Sequence, residues 1–232
     1  MKSVLLRLVG PLQSWGTQGR FSIRDTDREP SKSGVAGLVG AALGMPRDDD
    51  AKLGRLRGLH FAVRVDREGT PLRDYHTVGG DRSSGPQHGL WSIEQGRRVS
   101  ETALTDRYYL ADASFLAALG GEENALIDEI AQALQNPVWP LFLGRRACPP
   151  SEPVFAGLTD LSPELAVASA PMLPRDRADA PERVRIVVES DSEGGRPRQD
   201  EPESFRLYER RHGLRYVRFD FIPRDSLPEA TP

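Results

Sequence analysis

Four glycines at positions 34, 37, 40 and 44, set in Gly34-Val-Ala-Gly-Leu-Val-Gly-Ala-Ala-Leu-Gly44, constrain this chain more than any other stretch. Their spacing is near helical, and each glycine weakens a helix interior by about 1 kcal/mol relative to alanine. Such a helix must gain from tertiary contact, so it is expected to lie very close to another backbone, a sheet above all. Ser31 or Ser33 can cap its start by accepting a hydrogen bond from a free N–H, and Gly44 followed by Pro46 ends it. The apolar run is far shorter than the roughly 18 residues of a membrane helix.

The stretch before this helix sets its surroundings. Val4–Val9 is a short Val/Leu strand ended by Gly10-Pro11, and Gln13–Pro30 reads as an ordered but irregular loop. Trp15, Arg20 and Arg24 in that loop, with the helix N-terminus at Lys32-Ser33-Gly34, form an expected anion site. Net charge is only -3, yet residues 1–47 hold seven basic against three acidic side chains. Residues 108–144 hold five acids and no lysine or arginine. Charge split this way suits an anionic ligand held on one face. Lysine occurs only at 2, 32 and 52, so the positive charge is nearly all guanidinium. A GC-rich genome explains that bias as readily as phosphate recognition does.

Further along, Asp48–Leu56 reads as a short helix, and His60–Asp66 and Leu72–Val78 as two strands of a hairpin. Residues 79–100 are glycine-rich and too polar for a core. They read as a projecting β-hairpin arm with Arg82, Trp91, Arg97 and Arg98 as contact residues. Strand pattern returns over Thr102–Leu119, and Glu122–Gln135 is an amphipathic helix. Residues 1–155 are thus expected to form the main unit. Residues 156–232 are expected as a smaller β segment completing the same domain. It has strands near Arg183–Glu189 and Arg215–Ile222, a mobile loop over 190–202 and a disordered tail. Strand, helix, strand, strand, helix, strand matches an α+β, ferredoxin-like (RRM-like) βαββαβ palm with an inserted hairpin thumb.

Several chemistries lack their residues. The four histidines and Cys148 are far apart without metal-ligand spacing, and no dinucleotide, Walker or nucleophile-elbow pattern occurs. No cofactor and no metal are expected. One cysteine and no signal peptide fit a cytoplasmic protein. Tyr75-His76 supplies a possible base for metal-independent RNA cleavage, but no second histidine or lysine is placed with it. Trp15, Tyr75 and Trp91 as stacking surfaces, with Arg20, Arg24, Arg145 and Arg146 on phosphates, converge better on RNA binding without catalysis.

These segments also resemble a known family. Leu8-Val-Gly-Pro-Leu-Gln-Ser-Trp-Gly16, Pro30-Ser-Lys-Ser-Gly34 running to Gly44, Asp74-Tyr-His-Thr77, Tyr108-Tyr-Leu-Ala-Asp-Ala113 and Pro140-Leu-Phe-Leu-Gly-Arg-Arg-Ala-Cys-Pro149 occur in the order found in the CasD family. That family is a Cascade subunit of type I-E CRISPR systems, within the fifth Cas protein family. The resemblance is close over residues 1–155 and loose beyond. It implies a ferredoxin-like palm with a thumb, and a non-catalytic role holding the CRISPR RNA 5′ handle for antiviral defence. The implied partners are a CasC-type backbone subunit and a CasA-type large subunit, with target DNA met only through the complex and no membrane. On this reading Gln13, Trp15 and Gly16 shape the pocket, Lys32, Ser33 and Gly34 receive a phosphate, and Arg145 and Arg146 grip the handle backbone. Tyr75, His76 and the arm residues Arg82 and Trp91 add contacts. Relatives in type I-C systems cut RNA, so a metal-independent endoribonuclease is the alternative, and a protein-only adaptor is a third.

Overall fold

The computed structural model describes residues 1–16, 22–78, 90–92, 97–99 and 103–229. The first part of the chain runs β1 (Lys2–Val9), β2 (Leu12–Gln13), β3 (Ile23–Arg24), α1 (Lys32–Ala42), α2 (Asp50–Arg57), β4 (His60–Arg67) and β5 (Thr70–Val78). Then come β6 (Leu90–Ser92), β7 (Arg97–Val99), β8 (Ala103–Ala111), β9 (Ser114–Gly121) and α3 (Asn124–Gln135). The last part holds β10 (Phe155–Thr159), α4 (Pro163–Ser169), α5 (Pro174–Asp179), β11 (Arg183–Ser190), β12 (Arg196–Ser204) and β13 (Arg211–Pro223).

Among the described residues the largest sheet has seven strands in the order β10-β1-β9-β4-β11-β13-β12. Every neighbouring pair in it is antiparallel. Strands buried on both faces read as largely apolar runs: Phe115–Leu119 is continuous, while Val4–Val9 and Phe61–Val65 are each broken once, by Arg7 and Arg64. Alternate residues feed two cores. Val4, Leu6, Leu8, Phe61, Val63, Phe115, Ala117 and Leu119 face α1, α2 and α3, while Leu5, Ala62, Leu116, Ala118, Ile186 and Val188 face α4. The result is a mixed α+β architecture with antiparallel sheets and helices on both sides.

Arg64 points into the α4 side and is fully buried. Its guanidinium pairs with Asp66 and donates to the carbonyls of Val167, Ala170 and Pro171. A cation at the C-terminal end of α4 complements the helix dipole and occupies carbonyls that lack helical partners.

Three expectations are corrected here. β4 and β5 are not hairpin partners. β4 lies between β9 and β11, while β5 pairs with β8 in a second sheet of order β2-β8-β3. The reason is burial: β4 is buried on both faces, with Phe61, Val63 and Val65 on one and Ala62 and the paired Arg64 and Asp66 on the other, and so belongs inside the main sheet, whereas β5 is polar and largely exposed. The segment expected as a loop over 190–202 contains β12, an edge strand on β13. Its two prolines are tolerated at an edge, and its inward side chains, Asp200 and Glu201, are paired ions that no apolar pattern reveals. The tail is ordered through Glu229: Leu227 is buried, and the Met172 N–H donates to Pro228 O at 3.0 Å.

The helix glycines also do something other than expected. Gly34 admits the Trp15 ring, which an added Cβ would meet at 2.9 Å, and Gly40 admits the end of Met45. Side chains, not a sheet backbone, fill those gaps. In the arm, β6 and β7 pair antiparallel. Arg20 and Arg82 lie outside the described residues, as do the side chains of Trp91, Arg97 and Arg98.

Candidate nucleic-acid interface

The site is built around a crossing of two backbones. Gly144 has φ +89, and a Cβ there would stand 1.8 Å from Ser14 O, so only glycine fits. Two backbone hydrogen bonds hold the crossing and its turn, Ser14 N–H to Leu143 O at 3.1 Å and Leu143 N–H to Cys148 O at 2.7 Å. This geometry throws the next side chain, Arg145, over the loop that carries Arg24. Its Nη1 donates to Tyr108 O (3.1 Å) and its Nη2 to Arg24 O (2.7 Å) and Asp25 O (3.0 Å). The guanidinium lies 4.8 Å from the centroid of the Tyr109 ring. Arg145 therefore acts first as a staple between loop and sheet while adding positive charge. Arg146 beside it is exposed.

The second sheet supplies the rest. Register places Arg24 of β3 against Arg107 of β8, and Arg107 against Asp74 of β5. His76 and Thr105, two residues along, share that face because side chains alternate with period two. His76 Nδ1 stands 3.3 Å from Asp74 Oδ2, and Arg107 Nε donates to Thr105 Oγ1 at 3.2 Å. Arg24, Arg107, His76 and Arg145, with Tyr109 beneath, thus form one basic face. Gly16 is exposed and packs against Asp25, whose carbonyl a Cβ at position 16 would meet at 2.8 Å.

The same alternation separates Tyr75 from His76. Tyr75 is exposed on the opposite face with Ile23 and Leu104, opposite Asp106. The two residues cannot act on one ligand atom as a Tyr–His pair.

Five expected ligand residues are withdrawn, four by burial and Gly34 by the side chains packed against it. Gln13 is fully buried; its Nε2 donates to Leu8 O (2.9 Å) and Ala113 O (2.8 Å), and its Oε1 accepts from Trp15 Nε1 at 3.0 Å. Trp15 is 1% exposed within the core, so it offers no stacking surface. Lys32 and Ser33 are buried at the start of α1, and Gly34 is closed off by Ser31 and Trp15. The helix N-terminus already holds an anion. Asp200 Oδ2 accepts from Lys32 N at 2.9 Å, and Ser31 Oγ accepts from Gly34 N at 3.2 Å. Arg215 binds the same Asp200 carboxylate at 2.6 and 2.9 Å. Lys32 Nζ lies between Glu189 (2.8 Å) and Glu201 (3.1 Å). Burial pushes the Asp200 carboxyl up, but Arg215 and the Lys32 N–H outweigh it and hold the group below the usual carboxylate range. A carboxylate from β12 thus stands where a phosphate was expected.

Arg107 and Tyr109 are the residues that sequence reasoning missed. The available signal was the alternation through Thr105-Asp-Arg-Tyr-Tyr109, which puts both on one side of a strand. Among the described residues no group of three or more His, Cys, Asp or Glu could hold a metal ion. No helix among them is long and apolar enough to cross a membrane.

Comparison with known proteins adds to this geometry. Residues 3–218 match the family model described as CRISPR-associated protein (Cas_Cas5). The Escherichia coli (strain K12) protein described as CRISPR system Cascade subunit CasD is 40% identical over 170 residues, covering 68% of this chain and 72% of that protein. A solved structure described as a CRISPR RNA-guided surveillance complex has a chain 37% identical, with TM-score 0.78, over 99% of this chain and 94% of that one. Another, described as a Cas protein, is 36% identical with TM-score 0.74, over 99% of this chain and all of that one.

Proposed function

The chain belongs to the CRISPR-associated Cas5 protein family, and from that premise we propose that it is a non-catalytic Cascade subunit that holds the CRISPR RNA 5′ handle. Its neighbours in the complex are then a CasC-type backbone subunit and a CasA-type large subunit, and target DNA is met only through the assembly. The fold reading belongs to the same proposal. β1, α1, β4, β9, α3 and β10 form a ferredoxin-like palm, which the strand order β10-β1-β9-β4 supports, and the paired strands β6 and β7 belong to its thumb.

The observation that carries RNA contact is the basic face on which Arg24, Arg107 and Arg145 meet. Guanidinium groups with open N–H donors suit phosphate oxygens, and a strand laid on this face releases counterions as it binds. The test is a reconstituted complex carrying 4-thiouridine in the handle, irradiated and mapped to peptides. Crosslinks are expected in the segments holding Arg24, Arg107 and Arg146. A complex that assembles without any handle crosslink to this chain would overturn the reading in favour of a protein-only adaptor.

The His76–Asp74 pair on the same face favours one second reading, a metal-independent endoribonuclease in which the carboxylate orients the imidazole. Incubating the purified chain with labelled repeat RNA in EDTA separates the two. Intact RNA is expected; cleavage abolished by His76→Ala would establish the enzyme instead.

A further inference from the structure

Away from the basic face, the surface of β11, β13 and β12 carries a second arrangement of cations and rings. Register puts Arg185 opposite Phe221 and Val187 opposite Phe219, with Arg196 and Arg198 following on β12. Three guanidinium carbons, of Arg185, Arg196 and Arg198, lie 5.8, 5.3 and 5.6 Å from the Phe219 centroid. Arg183 lies 5.8 Å from the Phe221 centroid and donates to Phe221 O at 3.0 Å. Phe221 is 49% exposed.

The acids here are already committed. Glu29 is buried between Arg185 and Arg198, and Glu68 takes the other arm of Arg185 at 3.2 Å. Asp27 also faces Arg198. Arg183 and Arg196 form no ion pair with any described residue, and Arg198 Nη1 is buried without a hydrogen-bond partner. Positive charge therefore remains over two rings on an open sheet.

This patch is tied to the first site by one short loop. Arg145 grips the loop at Arg24 and Asp25, and Arg185 and Arg198 grip it at Glu29. Five residues span no more than about 18 Å, so one nucleic-acid strand can cross from one cluster to the other.

We propose that Phe221, Phe219, Arg183 and Arg196 form a second contact surface for single-stranded nucleic acid, with a base stacked on Phe221 and the two arginines on flanking phosphates. Aromatic rings on a sheet, edged by uncommitted cations, recognise unpaired bases through their faces and the backbone through its charge. The proposal rests on the RNA-binding reading above and extends the path of the same strand.

The test uses the full chain and its reconstituted complex, with handle RNA bearing a single-stranded extension as the probe. Arg183, Arg196 and Phe221 are exposed, so their replacement leaves the core intact, and thermal melts verify this. Phe221→Leu is expected to weaken binding of the extended RNA about tenfold, within the range for one stacked base, and Phe221→Tyr to retain it. Arg183→Gln/Arg196→Gln is expected to lower the salt slope by about 1.4, two single-strand phosphate contacts. If Arg24→Gln/Arg146→Gln weakens RNA binding while the β11–β13–β12 variants leave affinity and slope unchanged, the second surface is wrong and the first reading stands. If the unaltered chain in its complex shows no RNA affinity, both fail. Variants that lose assembly with the other subunits at an unchanged salt slope would identify a protein interface and overturn the proposal.

Discussion

The start of α1 and the face of β3, β8 and β5 make an instructive pair. Both display cations and hydrogen-bond donors in sequence, and both read as places for a phosphate. At α1 the donors are consumed: Asp200 takes the helix N–H, Glu189 and Glu201 take Lys32, and Arg215 completes a buried network. On the second sheet, Arg24 stays exposed and Arg107 half-buried, and the groups that hold Arg145 are neutral carbonyls, which leave its charge in place. A motif says which donors exist. Whether they reach a ligand depends on what the rest of the chain brings to them.

The largest effect that tests this contrast lies beside α1. Trp15→Ala is expected to destabilise the protein by about 4 kcal/mol, because it empties a core site and strands Gln13 Oε1. The midpoint of thermal unfolding should fall by roughly 8–16 °C. A loss below about 1 kcal/mol, together with a lost RNA contact, would restore Trp15 as a ligand residue.

Asp200→Asn comes next, at about 3 kcal/mol for breaking a buried ion pair. Its pH dependence has a definite sign. The folded carboxyl titrates below its ordinary range, so its contribution is fully present above the unfolded value of about 3.9 and is lost as pH falls through the folded value. The stability gap between variant and parent should be constant near pH 7 and close only below about pH 4. A gap that widens on acidification contradicts the assignment.

Arg145→Ala should have a mixed outcome, losing about 2 kcal/mol of stability as three carbonyls lose their donor and weakening handle binding as the loop carrying Arg24 shifts. Arg145→Lys should not rescue it, since an ammonium cannot reach all three acceptors and stack on Tyr109. The smallest stability effect belongs to Arg24→Gln/Arg107→Gln/Arg146→Gln. Each change should stay within about 0.5 kcal/mol, while the salt slope of RNA binding drops by about 2. Unchanged slope with unchanged assembly would remove the basic face from the interface.

Much of the fold was legible because burial writes itself into apolar pattern. Val4–Val9, His60–Asp66, Glu122–Gln135 and Arg183–Glu189 each announce an element within a few residues of its observed bounds. β12 was not legible, since its inward positions are charged and it contains two prolines. Nor was the β4/β5 separation, because a strand pattern does not name its partner. At the site, Arg24, His76, Arg145, Arg146 and Gly16 were found in accessible positions, whereas Gln13, Trp15, Lys32 and Ser33 were buried and Gly34 was crowded by Ser31 and Trp15. The distinction is physical: a buried polar residue with a partner and an exposed one with a ligand look alike in a string of letters.

By itself the sequence determined that a glycine-rich helix must pack closely and that the positive charge is nearly all arginine. These follow from chain stereochemistry and composition, which are local. Only tertiary structure decided that the gaps in the helix receive Trp15 and Met45, and that Asp200, from a strand 168 residues away, holds the helix N-terminus. It also decided that Arg145 spends its donors on Tyr108, Arg24 and Asp25. Those outcomes depend on which distant groups compete for a donor, and that competition is settled only when the strands have paired.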